Sequence, residues 1–180
     1  MVYVFLADGF EIIEALAPVD MLGRAKLDVK TVGVTGKTVK SSGGIEVVAD
    51  ITTEEVSFDN LEMIILPGGM PGTLNLEADE TVQKAIEYCA AHQLYIAAIC
   101  AAPSILAHKG LLDGKKATVF PSFAEDLKAA DYTGNGVEVD GKVITARGAG
   151  VCIAFGLKCV EVLTDKKQAQ TIQAQIQSEA

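Results

Sequence analysis

The sequence predicts one α/β domain over residues 1–180, built on a mainly parallel central sheet with helices on both faces. Apolar, strand-length runs at Val2–Leu6, Met63–Leu66 and 94–99 alternate with stretches of helical periodicity. These runs are apolar throughout instead of alternating with polar residues, as a strand covered on both faces requires. A chain of 180 residues, 49% hydrophobic and with a mean hydropathy of +0.30, can bury such a sheet.

Taken in order, Val2–Leu6 is the first strand and ends at Ala7-Asp8-Gly9. Ile12, Ile13, Leu16, Val19 and Leu22 then keep helical spacing, giving a helix over about 12–25. Pro18 cannot donate to the Glu14 carbonyl, so this helix is expected to kink or to start late. Residues 28–34 suit a second strand, and 39–50, with Gly43 and Gly44 in mid-run, a hairpin or irregular strand pair. Met63–Leu66 closes on Gly68-Gly69-Met70-Pro71-Gly72, a turn whose backbone can approach a ligand closely. Asp79 is the expected N-cap of a helix to about His92, with Val82, Ala85, Ile86 and Cys89 as its inner stripe. The strand 94–99 leads to a helix ending near His108, with Pro103 in its first turn. Residues 110–114 form a loop and 116–119 a short strand. Asp140-Gly141, between strands 137–139 and 142–146, is a hairpin signal. A helix over 151–163 is polar along Lys158, Glu161 and Thr164 alone, hence largely buried, and a polar helix starts near Lys166. The order of strands across the sheet does not follow from this pattern.

A net charge of −9 and a pI near 4.7 exclude the clustered basic surface that nucleic-acid binding needs. No apolar run reaches the length of a membrane span. The first residues lack a basic leader and a cleavage site, so a strand is expected there and not a signal peptide. Cys89, Cys100, Cys152 and Cys159 have no Cys-x-x-Cys spacing, and with His92 and His108 they assemble no zinc pattern. A reduced, cytoplasmic protein is the simpler expectation, with Cys89, Cys152 and Cys159 as small buried hydrophobes.

Cys100 differs from the other three. It follows a buried strand directly and precedes a helix start, the position of a nucleophile elbow, and a helix N-terminus favours the thiolate. In such sheets ligands bind beyond the carboxyl ends of the strands. Glu11 and Glu14 leave the first strand there, Gly68 and Gly69 leave the strand Met63–Leu66, and Cys100 leaves 94–99. A thiolate nucleophile, a neighbouring carboxyl group, and an oxyanion site from the amides of Gly69 and Ala101 would complete a catalytic group. Glu14 reads equally as a solvated helix-start charge. Arg147 with Gly148 and Gly150 is either an anion site at a helix N-terminus or a turn with a surface arginine.

The runs Ala7-Asp-Gly-Phe-Glu-Ile-Ile-Glu14, Pro18-Val-Asp20, Leu66-Pro-Gly-Gly69, Ala98-Ile-Cys-Ala-Ala-Pro103, Gly110-Leu-Leu-Asp-Gly114 and Arg147-Gly-Ala-Gly150 together resemble the ThiJ/PfpI superfamily, DJ-1 branch. The resemblance covers nearly the whole chain. It implies a flavodoxin-like sandwich of the class I glutamine-amidotransferase type, usually a homodimer, with an oxidation-prone cysteine at the elbow. It places on Glu14 the family glutamate that bonds this cysteine, and on Gly69 and Ala101 the oxyanion donors. It further implies cofactor-free action on methylglyoxal or its early adducts, that is, on small dicarbonyl or glycated substrates. The alternative it leaves is a redox sensor or chaperone-like stress protein in which Cys100 is oxidised to a sulfinate without turnover.

This chain also departs from the pattern. Ala101 stands where protease-like branches place a histidine, Phe120 stands before Pro121 where the DJ-1 branch often has one, and the usual pocket arginine falls near Gly43 or Gly44. A Cys-His-Asp triad therefore has no evident histidine, and Glu14 is left to move protons. Phe120, Gly68, Arg147 and Gly148 are the expected pocket residues. Asp20 is expected to be structural and Glu11 a helix-start charge.

Overall fold

A computed structural model describes residues 1–178. The elements are β1 (Val2–Leu6), α1 (Ile12–Arg24), β2 (Val29–Gly33), β3 (Thr38–Lys40), β4 (Glu46–Val48), β5 (Ile51–Thr52) and β6 (Met63–Leu66). They continue with α2 (Gly72–Ala78), α3 (Glu80–Ala91), β7 (Tyr95–Ile99), α4 (Pro103–His108), β8 (Lys116–Ala117) and β9 (Asp131–Tyr132). The chain closes with β10 (Val137–Asp140), β11 (Val143–Ala146), α5 (Cys152–Leu163) and α6 (Lys166–Gln175). Short 3₁₀ turns lie at Thr53–Glu55, Pro121–Leu127 and Ala149–Val151.

The main sheet runs β10-β11-β7-β6-β1-β2-β5 and is parallel except for the β10–β11 hairpin. Alternate residues of each inner strand enter opposite cores. Phe5, Ile64, Leu66, Ile96 and Ala98 pack with α2, α3 and α4, through residues such as Leu76, Ile86 and Ile105. Val4, Leu6, Met63, Ile65, Ala97 and Ile99 pack with α1, α5 and α6, through Leu22, Phe155 and Ile172. Both strand faces are therefore dry, which explains the uninterrupted apolar runs. Gly156 lets α5 lie against α1, since a Cβ there would sit 3.0 Å from the Pro18 Cα. Among the described residues no helix is long and apolar enough to cross a membrane.

Several expectations need correction. Of the two outcomes expected from Pro18, the late start does not occur: α1 begins at Ile12, where the Glu11 carboxylate caps it by accepting from the Glu14 amide at 2.8 Å, and it runs on past Pro18. The turn after β6 continues into α2, a short helix that the run Gly68-Gly69-Met70-Pro71-Gly72 conceals. The strand expected over 116–119 ends at Ala117, where β8 pairs with the unforeseen β9. Residues 39–50 do fold back as the β3–β4 hairpin, with Gly43 and Gly44 in its turn. Asp79 caps α3 by accepting from Thr81 and Val82.

The chain leaves β1 for β2 on one side and returns through β6 on the other side of β1. The order in which strands are added reverses there, opening a crevice at the carboxyl ends of β1 and β6. The segments carrying Glu14, Gly68 and Cys100 all emerge at that edge.

Candidate active site

Cys100 sits between β7 and α4 with φ +64°, a left-handed conformation that non-glycine residues seldom adopt. Its neighbours hold it there. The Cys100 amide donates to the Ala146 carbonyl at 2.8 Å, and its own carbonyl accepts from the Phe120 amide at 2.8 Å. Strain fixed from both sides presents the side chain at the sheet edge, half-buried, where it can act.

Glu14 meets it from the first turn of α1 and is only 1% exposed. The Gly68 amide donates to its Oε2 at 3.0 Å. Oε1 finds no partner of good hydrogen-bond geometry among the described residues, although the Cys100 thiol and the Ala149 amide lie close enough to lower the carboxyl's pKa. Burial outweighs these contacts and, with repulsion from Glu11, pushes Glu14 up to about 7.

Gly68 is the spacer that makes this meeting possible. A Cβ on it would lie 2.6 Å from the Cys100 Cβ and 2.7 Å from Glu14 Oε2. Gly69, at φ +93°, packs so tightly that a Cβ would sit 2.4 Å from the Glu11 amide nitrogen. The amides of Gly69 and Ala101 both lie against the Cys100 sulfur and draw its pKa down.

One expectation fails. The amide at the start of α4 favours the thiolate but does not by itself ionise the thiol. Burial first, then the Glu14 charge, push Cys100 up to about 12 against the two amides. Carboxyl and thiol thus act as a pair. When Glu14 takes a proton its charge no longer opposes a thiolate, and its O–H becomes a donor to the sulfur.

The other residues fall into place around this pair. Phe120, Pro121, Arg147, Gly148, Ala149, Gly150 and Val151 line a recess of about 430 Å³ beside the elbow. The Ala149 amide facing Glu14 escapes sequence reasoning, although the Arg-Gly-Ala-Gly run containing it is legible as an anion site. His108 lies at the far end of α4, its ring Nδ1 2.6 Å from Glu77 Oε1. Asp20 pairs with Arg24 on the exposed side of α1. Cys89, Cys152 and Cys159 are buried. Among the described residues no group of three or more His, Cys, Asp or Glu side chains could hold a metal ion.

Sheet order and crevice define a flavodoxin-like α/β protein, with a cysteine at the bend after β7. A family model described as the DJ-1/PfpI family matches residues 1–162. Protein dj-1beta of Drosophila melanogaster is 34% identical over 172 residues, covering 94% of this chain and 92% of that protein. The chain belongs to the DJ-1/PfpI family, in its DJ-1 branch. DJ-1 homologs B and A of Arabidopsis thaliana are 36% and 35% identical over 91% and 93% of this chain, which spans only 38% and 44% of their lengths. The structure of oxidized Toxoplasma gondii DJ-1 superposes with a TM-score of 0.95 at 35% identity, covering 99% of this chain and 98% of that one. A Caenorhabditis elegans protein named glutathione-independent glyoxalase DJR-1.2 is 27% identical over 90% of this chain and 87% of that protein.

Proposed function

We propose that the protein is a cofactor-independent, cysteine-dependent glyoxalase and deglycase, acting on methylglyoxal or on the early adducts it forms. The observation that carries this reading is the buried Glu14 carboxyl beside Cys100, with the Gly69 and Ala101 amides against the sulfur. The relative named as a glutathione-independent glyoxalase supports it.

The chemistry follows from the geometry. Ionised Glu14 takes the thiol proton as the sulfur adds to the aldehyde carbon, and the two amides receive the forming oxyanion. Protonation of that oxygen gives a hemithioacetal. Glu14 then takes the proton from the former aldehyde carbon, the electron pair passing into a double bond between the two carbons. It returns that proton to the adjacent carbon, while the hydroxyl proton on the first carbon passes to the oxygen of the second. The first carbon is oxidised to a thioester and the second reduced to an alcohol. Water hydrolyses the thioester, releasing lactate and the free thiol, so the net change is the addition of one water. A base with a pKa near 7 suits both directions of transfer. Incubation with methylglyoxal, without glutathione or metal, should yield lactate; absence of lactate overturns the reading.

The alternative, a sensor in which Cys100 becomes a sulfinate, is supported by the same amides and by the likeness to a DJ-1 structure described as oxidized. A protonated Glu14 could donate to a sulfinate oxygen. A stable two-oxygen adduct on Cys100 after mild peroxide, with no dicarbonyl turnover, would favour the sensor.

A cytoplasmic homodimer completes the reading. Family membership supports it, as do the exposed apolar side chains of Ile13 on α1 and of Ile45 and Val48 on the β3–β4 hairpin. Light scattering should return twice the 18.9 kDa chain mass; the single mass would count against it.

A further inference from the structure

We infer that the recess beside the elbow selects α-oxoaldehydes whose ketone carries a bulky apolar or aromatic group, with Phe120 as the specificity-determining residue and Arg147 as the anchor for the acid product. The inference rests on the glyoxalase reading above and names the substrate class of that same site.

Two contacts tie the recess to the reacting groups. Phe120, on one wall, donates its amide to the carbonyl of Cys100 at 2.8 Å. Ala149, on the other, has its amide close to the Glu14 carboxyl. A substrate bonded to the sulfur therefore has this recess next to it. At about 430 Å³ the space exceeds what the methyl group of methylglyoxal can fill.

The walls are apolar where a substituent would lie. The Phe120 ring is 45% exposed, although phenylalanine is normally buried. It lies over Gly148, where a Cβ would already be 3.4 Å from the ring Cδ2. Pro121 and Val151 continue the apolar lining. A half-exposed ring over a glycine offers a face on which a second ring can stack.

A cation stands at the rim. The Arg147 guanidinium reaches the Gly134 carbonyl at 3.5 Å and pairs with no carboxylate among the described residues, in a chain of net charge −9. The product of every α-oxoaldehyde on this route is a 2-hydroxy acid, whose carboxylate a guanidinium can receive in bidentate form. Phenylglyoxal, for example, would give mandelate by the same proton shift and hydrolysis.

The test compares initial kcat/KM values for phenylglyoxal and methylglyoxal in the wild type, Phe120→Ala and Phe120→Leu. The wild type should favour phenylglyoxal by roughly tenfold or more, the range of an apolar pocket's discrimination. Phe120→Ala should erase most of that ratio and Phe120→Leu part of it. Equal efficiencies in the wild type, or a ratio unchanged in both variants, overturn the inference. Binding of mandelate and of lactate, followed by the amide NMR signals of Gly148 and Ala149, needs no turnover. Mandelate should bind roughly tenfold tighter than lactate, with the difference lost in Phe120→Ala and both affinities weakened in Arg147→Gln. If neither aldehyde is consumed, the glyoxalase reading falls, and preferential mandelate binding still supports the pocket assignment. Equal affinities for the two acids overturn it.

Discussion

Cys100→Ser and Glu14→Gln are each expected to abolish measurable lactate formation from methylglyoxal. The serine variant keeps the elbow, the amides and nearly the same volume, but its hydroxyl is a far poorer nucleophile than a thiol. The glutamine variant keeps an oxygen for the Gly68 amide, which now donates to Oε2 at 3.0 Å, and removes only the proton carrier. Loss of a positioned general base costs about 10²–10⁴ in rate, and Glu14 serves in more than one step, so the upper end is expected. Full activity in either variant would sink the scheme.

The same experiment has a pH signature. Only the ionised carboxyl can take the thiol proton, and burial has moved Glu14 up to about 7. Below that pH the acid is protonated, so kcat/KM for the wild type should climb as pH rises through about 7 and level off above it. Any residual rate in Glu14→Gln should lack that limb. A limb that survives the substitution would assign the proton transfer to another group.

How much of the fold is legible in the sequence depends on which interactions are local. The buried strands β1, β6 and β7 are plain, because a short apolar run without alternation, closed by turn residues, suits a strand covered on both faces. The N-cap at Asp79 and the β10–β11 hairpin at Asp140-Gly141 are equally plain, since the responsible side chains and turn lie within a few residues. Helix α2 is hidden because Gly72, which opens it, is chosen for a long-range reason: its missing side chain lets Phe10 approach within 2.6 Å of where a Cβ would be. Pro18 misleads in the same way, for packing of α1 against α5 and the Glu11 cap hold a helix that local propensity would break.

The site divides along the same line. Cys100, Gly68, Gly69 and Glu14 are each suggestive where a strand ends, but only the β7-β6-β1 order, which no local pattern encodes, brings them to one point. The ionisation state of the thiol is where the sequence misleads. A helix N-terminus is visible in sequence; the burial and the facing carboxylate that oppose it are not.

Glu14→Gln is also expected to stabilise the protein at alkaline pH, which separates a functional group from a structural one. The unfolded carboxyl titrates near 4.5 and the folded one near 7, so between those values the folded state binds more protons than the unfolded state. Stability therefore falls as pH rises through that window and stays lower above it. A shift of this size corresponds to about 3 kcal/mol. Urea unfolding at pH 4.5, 6 and 8 should show the two proteins nearly equal at the lowest pH and the glutamine variant more stable at the highest, by up to about 3 kcal/mol. Asp50 acts in the opposite sense: hydrogen bonds from Thr31, the backbone one foremost, hold its pKa low, so its stabilisation is present at high pH and lost as pH falls. That contribution is common to both proteins and cancels in their difference. A glutamine variant no more stable than the wild type at pH 8 would mean that the buried carboxylate has a compensating partner and is not held at this edge against its own electrostatic cost.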